Sequence, residues 1–203
     1  MFTWQMIKPK EPFQLQENPY PELKPGEVLV EVAGCGVCHT DLSFWYFGVN
    51  TRHELPLALG HEISGTVIEG EKDWIGKHVI VPAVLPCGEC SFCKKGRSNI
   101  CRSQLMPGND FDGGFASHVK VPAKFLCPVS DEVLGKYSLE QLSVIADAVS
   151  TPYQVMEKSE IEPGDLAIAI GVGGLGTYGA QLAKIKGAKV LALDISDEKL
   201  KMI

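Results

Sequence analysis

Cys87-x2-Cys90-x2-Cys93-x7-Cys101 packs four thiols into a segment that has little else to fold it. Residues 86–114 are rich in Cys, Gly, Pro and polar side chains and show neither a helical nor a strand period. A loop of that length inside a compact domain needs an anchor other than a core. Four thiolates close a tetrahedral zinc site with Zn–S bonds of about 2.3 Å, which leaves no position for a substrate. The knot therefore reads as structural: an ion that ties down its own loop. Lys94, Lys95 and Arg97 soften the charge of the four thiolates. An iron–sulfur cluster is the competing reading. The chain has seven cysteines, an odd count that argues against a disulfide framework, and clustered thiols in a reducing compartment point to metal.

Around this loop the pattern is that of short strands. Alternation and β-branching predict strands over 27–33, 63–69, 78–82 and 115–121. Gly34 and Gly36 are expected to break the first of these, and 38–47 reads as a short helix or loop. The succession implies a compact, barrel-like β domain. After Pro128 the character changes. Residues 138–147 and 151–158 look helical, 166–170 reads as a buried parallel strand, 175–186 as a helix and 189–193 as the next strand. Ser196 is the expected N-cap of a further helix. That strand–helix–strand order is one βαβ unit. The expected organisation is a β-rich domain over 1–147 and the start of an α/β domain over 148–203. The chain stops inside the last helix with two strands of a sheet that normally has about six. It therefore reads as the N-terminal part of a longer enzyme, expected to be inactive alone.

A second cluster is less obvious from spacing. Cys38 and His61 lie far apart in sequence, as ligands of catalytic metal sites often do, and such a site needs three protein ligands and one open position. Glu62, next to His61, is a candidate ligand or exchangeable carboxylate, and Asp41 a candidate partner for the second ring nitrogen of His61. Taken singly, a lone Cys is more often buried filler. Cys35-x2-Cys38 also has the spacing of a redox pair, but lacks a thioredoxin-like βαβ context.

The third element is Gly171-Val-Gly173-Gly174-Leu175-Gly176. It follows a strand, opens a helix, and is followed by Asp194 at the end of the next strand. Glycines permit the tight turn and the close approach of a pyrophosphate to the helix N-terminus. An acid at Asp194 suits a ribose 2′-hydroxyl and repels a 2′-phosphate, favouring NAD over NADP.

GVCHTD, GHE, the four-cysteine loop and GVGGLG stand in the order found in the zinc-containing medium-chain alcohol dehydrogenases, and the sequence resembles that family over essentially its whole length. The resemblance implies a GroES-like catalytic domain followed by a Rossmann domain, with the active site in the cleft between them. It implies one catalytic and one structural zinc, NAD as cofactor, a small secondary alcohol as substrate, and a homo-oligomer. Carried onto this chain, Cys38 and His61 match catalytic zinc ligands, and Glu62 the neighbouring carboxylate. Thr40 matches the hydroxyl that begins proton release, and Asp41 the carboxylate partner of the ligand histidine. Many members place a third ligand as cysteine in a Cys-x-x-x-Thr pattern; here that position is Asp147, followed by Thr151. Asp147 is the expected third ligand, with Glu62 as the fallback. Within the family the nearest likeness is to a dehydrogenase of a cyclic hydroxyacyl-CoA thioester, although no basic cluster awaits coenzyme A phosphates. A metal-free reductase of the same fold and a non-enzymatic relative are the alternatives.

Composition narrows the partners. A net charge of −6 with no long basic run gives no reason to expect nucleic acid. No apolar stretch is long enough to span a bilayer, the N-terminus lacks the apolar core of a signal peptide, and a cytoplasmic location is expected. Among the weaker candidates, His39 is placed near cofactor phosphates or in solvent. His53, His78 and His118 read as surface residues, and Cys127 as buried filler. Trp45, Tyr46 and Phe47 read as either pocket lining or core.

Overall fold

The computed structural model describes residues 1–203 and divides them into two units, Met1–Ala146 and Asp147–Ile203. The boundary falls one residue before the expected one. β1 (Phe2–Met6) and β2 (Gln14–Glu17) pair antiparallel, within an opening segment whose mixed pattern gave no strand signal. β3 (Glu27–Gly36) is followed by α1 (His39–Trp45) and β4 (Leu57–Ala58), which pairs with the other edge of β1. β5 (Glu62–Gly70) and β6 (His78–Val81) come next. The cysteine loop carries α2 (Ser91–Lys94) and a 3-10 turn at Ser98–Ile100, so it is not wholly irregular. β7 (His118–Pro122) and β8 (Cys127–Pro128) complete a five-stranded antiparallel sheet in the order β7-β3-β5-β6-β8.

That sheet carries the first unit's core. Val28 and Val30 of β3, Ile63 and Val67 of β5, Val79 and Val81 of β6, and Val119 and Val121 of β7 are all buried together. Each such side chain contributes about 1.5–3 kcal/mol. β-branched side chains suit this role because they fit a pleated, half-buried surface. A second cluster, Met6, Phe44, Leu57 and Leu59, joins β1, α1 and β4.

Gly34 and Gly36 do not break β3. Pairing with β5 continues through a bulge, with Gly34 opposite Ser64, Cys35 opposite Ile63 and Gly36 opposite Glu62. The glycines are there for space: a Cβ on Gly34 would press on the backbone of Glu140, and one on Gly36 would collide with the Glu62 carboxylate. Glu140 begins a 3-10 helix, Glu140–Ala146, where a helix over 138–147 was expected. It lies against β3 and β5, with Ser64 Oγ donating to Leu139 O at 2.7 Å, and packs Leu142 and Ala146 against Ile80. α3 (Asp131–Leu134) precedes it.

Two surface expectations reverse. His118 is buried in β7, where its paired strand and the Tyr20 ring, 5.0 Å away, enclose it. Cys127 is exposed on β8, a two-residue strand at the opposite edge of the sheet from β7.

The second unit runs α4 (Ser150–Ser159), β9 (Leu166–Ile170), α5 (Gly174–Ile185), β10 (Lys189–Leu193) and α6 (Asp197–Leu200). Pro152 sits in the first turn of α4, where its missing N–H is harmless. β9 and β10 pair parallel in register, and Ser196 caps α6 by accepting from Lys199 N. β9 is not fully buried as its apolar run suggested. Leu166, Ile168 and Ile170 are 63, 54 and 84% exposed, since one face of this two-stranded sheet is uncovered.

Ile63→Ala should lower stability by about 2–5 kcal/mol through the cavity it leaves at the centre of the five-stranded sheet. Urea titration checks this: the midpoint should fall with the slope unchanged.

Candidate metal centre and cofactor turn

The four sulfurs of the cysteine loop converge. Cys87 and Cys93 Sγ are 3.9 Å apart, Cys90 and Cys93 3.5 Å, Cys90 and Cys101 3.8 Å, and Cys87 and Cys101 3.4 Å. The edge of a ZnS4 tetrahedron with bonds of about 2.3 Å is about 3.8 Å, so the thiols fit one zinc ion. Backbone N–H groups already point at the sulfurs: Glu89 N and Cys90 N donate to Cys87 Sγ, and Cys87 N and Ser103 N to Cys101 Sγ. The Glu89 and Cys90 amides hold the Cys87 thiol below its usual range, and the Cys93 amide brings Cys90 down to about 6. Burial pushes Cys93 up to about 12. The amides thus favour an anion at Cys87 and Cys90, while burial favours the neutral thiol at Cys93.

The second cluster follows from strand pairing. Because Gly36 faces Glu62, the chain leaving β3 and the chain entering β5 emerge at the same end of the sheet, which brings Cys38 to His61. Cys38 is the N-cap of α1, and its N–H donates to Asp41 Oδ2 at 2.9 Å. Asp41 Oδ1 accepts from Gly60 N at 3.1 Å and lies 3.7 Å from His61 Nδ1. Asp41 and His61 are both buried, so one carboxylate ties the two turns together and orients the imidazole between them. Thr40 Oγ1 stands 3.7 Å from Cys38 Sγ.

Asp147 joins them through the 3-10 helix. Its neighbour Ala146 is buried beside Ile80 and accepts from Ala83 N, which fixes where the Asp147 backbone begins. Ligand atoms of Cys38, His61 and Asp147 all lie within 4.8 Å of one another, a spacing that one cation bridges with small side-chain adjustments. Glu62 is not part of this group: its buried carboxylate lies against Gly36.

Cys35 and Cys38 are both free thiols, not joined in a disulfide. Burial, and then the nearby Asp41 carboxylate, push the Cys35 thiol up to about 12, which disfavours the thiolate that exchange needs. Its sulfur packs under Gly60 and Gly114.

Gly113 and Gly114, which the sequence reading left in an unstructured loop, and Phe115, expected to open a strand, hold the His61 turn from beneath. Gly113 N donates to Ala58 O, Gly114 N to Gly60 O and Phe115 N to Leu59 O. Gly60 has φ +93°, and a Cβ there would meet the Phe115 ring and Cys35 Sγ. The Gly113-Gly114 doublet was the available signal. Trp45 packs against the Met6–Leu57 cluster, while Tyr46 and Phe47 are exposed. His39 is exposed near the Phe47 ring, and His53 and His78 are also exposed.

In the glycine-rich turn, Gly171 has φ +87°, and a Cβ on Gly176 would collide with the Gly171 carbonyl oxygen. Nothing stands within 4 Å of where side chains on Gly173 or Gly174 would begin, so their backbone is open to a ligand at the start of α5. Leu175 is exposed in the first turn of that helix. Asp194 Oδ2 accepts from Val172 N at 2.8 Å and Oδ1 from Ser196 N at 2.9 Å. Those amides, Val172 first, hold its carboxyl below the usual range.

Residues 24–131 match the family described as the alcohol dehydrogenase GroES-like domain. The chain belongs to that family. Over 198 residues the chain is 37% identical to an alcohol dehydrogenase of Geobacillus stearothermophilus, covering 95% of this chain and 57% of the relative. The cobalt- and zinc-bound thermostable alcohol dehydrogenase of Pyrobaculum aerophilum superposes with a TM-score of 0.88 at 27% identity. That match covers 100% of this chain and 62% of the other. An NADH-complexed alcohol dehydrogenase of E. coli CFT073 gives a TM-score of 0.87 at 26% identity, covering 99% and 58%. The chain thus spans about three fifths of the relatives it matches. Its fold is a β-rich GroES-like catalytic domain followed by α/β structure.

Two outcomes are expected. Cys101→Ser should cost the knot its ion and make residues 87–103 susceptible to proteolysis, while the sheet keeps its far-ultraviolet signature. Limited digestion with metal analysis tests this. Asp194→Ala should speed hydrogen exchange at the Val172 amide. Because the Asp194 carboxyl is depressed in the fold, this protection is present above about pH 4 and is lost on acidification through the folded-state value.

Proposed function

We propose that the enzyme to which this chain contributes is a zinc-dependent alcohol dehydrogenase that oxidises a secondary alcohol to a ketone with NAD. The observation that carries the reading is the convergence of Cys38, His61 and Asp147 at the paired ends of β3 and β5. It occurs inside a domain of the alcohol dehydrogenase family. A thiolate, an imidazole and a carboxylate are the donor types of catalytic zinc, and three ligands leave an open position for substrate. The four-cysteine loop would hold a second, structural zinc. When bound, zinc supplies the Lewis acidity that makes a hydroxyl acidic at neutral pH, and NAD supplies the hydride acceptor.

This chain's residues do the rest. Cys38, His61 and Asp147 would hold the metal, and Asp41 keeps the first two in register by bonding the backbone at Cys38 and Gly60. Thr40, whose hydroxyl lies 3.7 Å from Cys38 Sγ, would accept the substrate hydroxyl proton while releasing its own to solvent water. Glu62, buried one residue from His61, is available as an exchangeable carboxylate. The open backbone at Gly173 and Gly174, flanked by Gly171, Leu175 and Gly176, would hold the cofactor pyrophosphate, and Asp194 would bond the ribose hydroxyl. The Asp194 charge favours NAD over a 2′-phosphorylated cofactor.

The substrate proposed is 6-hydroxycyclohex-1-ene-1-carbonyl-CoA, supported by overall sequence likeness within the family. Other small secondary alcohols are the broader class. A cytoplasmic homo-oligomer is the proposed working form. No helix of the chain is long and apolar enough to cross a membrane.

Cys38→Ser in the intact enzyme should lose one metal ion per chain and NADH production, while the knot ion and the fold remain. Turnover at the parental rate in a variant shown to lack that ion would sink the assignment. Comparing the cyclic hydroxyacyl-CoA with simple secondary alcohols, with and without chelator, tests the substrate. Chelator-sensitive turnover of simple alcohols alone would keep the dehydrogenase and discard the thioester.

A further inference from the structure

The Asp147 carboxylate has a partner that the proposed reaction does not use. Thr151 Oγ1 donates to Asp147 Oδ1 at 2.5 Å, from one helical turn further along. That length belongs to a charge-assisted O–H···O⁻ bond. Helix initiation does not require it. The main chain already closes this turn, with Thr151 N donating to Asp147 O at 2.9 Å and Ser150 Oγ reaching the same carbonyl at 3.5 Å. Thr151 is also exposed, so water could satisfy its hydroxyl equally well. What the additional bond changes is the carboxylate itself. An aspartate at the start of a helix turns readily about its side-chain bonds, and a hydroxyl fixed on the backbone at i+4 selects one setting.

We infer that Thr151 is a positioning residue for the metal centre: it orients the Asp147 carboxylate toward the cation shared with Cys38 and His61 and draws off part of its charge. This deepens the proposed function and rests on Cys38, His61 and Asp147 being the ligands. Two chemical consequences follow. Fixing Oδ1 removes rotational freedom that Asp147 would otherwise lose on binding the ion, which tightens the site. A carboxylate that shares its charge with a hydroxyl donates less to the metal, so the cation stays a stronger Lewis acid toward a substrate oxygen. Partners that orient a metal ligand typically change affinity by about 10–100-fold when removed.

The test uses the intact protein and three variants: Thr151→Val, which keeps the shape and removes the hydroxyl, Thr151→Ser, which keeps the hydroxyl, and Cys38→Ser. The ion lost in Cys38→Ser defines the centre being measured. Its zinc affinity is read by chelator competition. Its ligand field is read from the visible absorption of the cobalt-substituted protein, after subtracting the Cys38→Ser spectrum to remove the four-cysteine knot. Thr151→Val is expected to weaken that ion by about 10–100-fold and shift its cobalt bands. Thr151→Ser should restore both, and the knot ion should be unaffected throughout. Parental affinity and spectrum in Thr151→Val would overturn the inference. So would a Thr151→Ser variant as weak as Thr151→Val, which would assign the effect to methyl packing. Equal weakening of the knot ion would assign it to general destabilisation and overturn it too. If Cys38→Ser keeps its full metal complement, the ligand set itself fails, an outcome distinct from failure at Thr151.

Discussion

One buried carboxylate holds the candidate centre together. Asp41 accepts from the backbone at Cys38 and at Gly60 and faces the His61 ring, so the turn after β3 and the turn before β5 meet at a single side chain. A buried charge is tolerable only when its hydrogen bonds are made, and these bonds are spent on the segments that carry the thiol and the imidazole. The consequence is a site whose spacing is set by hydrogen bonds of the fold itself. The sheet brings the segments near, Asp41 sets their spacing, and Gly113–Phe115 support the His61 turn from below. Asp147 is then delivered by a separate element, the 3-10 helix that lies on the crowded glycine face of β3.

The cysteine loop follows a different logic. Its sulfurs are arranged by short-range turns with amides directed at them, so its geometry belongs to the loop rather than to the sheet. The two centres therefore depend on different parts of the sequence. One is encoded locally, in spacing that can be read along the chain. The other is encoded by the register of β3 against β5.

That difference explains what was legible. The knot, the glycine turn with Asp194 and the strands β9 and β10 were readable because each depends on residues within one short segment. Cys38 and His61 could be named as candidates from residue type alone, but Asp147 was reached only through likeness to a family, since no local period announces that residues so far apart converge. The glycines of β3 misled because a glycine that ends a strand and a glycine that admits a neighbour look the same in sequence. Gly34 is there because Glu140 lies on it. His118 and Cys127 were misassigned for a related reason: both lie on edge strands, and burial followed what covers each one, the Tyr20 ring over His118 and nothing over Cys127, and not the polarity of the residue. β1 and β2 went unseen because their alternation is diluted by polar residues whose pairing is tertiary.

The pairing of β3 with β7 also sets a clock. Val28 must find Val121 across more than ninety residues, and the cysteine loop lies within that interval. Such remote pairing makes a sheet slow to assemble, because chain entropy is lost long before the contacts form. An ion that gathers Cys87, Cys90, Cys93 and Cys101 would condense only a small part of that interval, and closure entropy changes slowly with length, so the pairing stays remote with or without it. The knot secures its own loop and leaves the pace of sheet assembly to the chain.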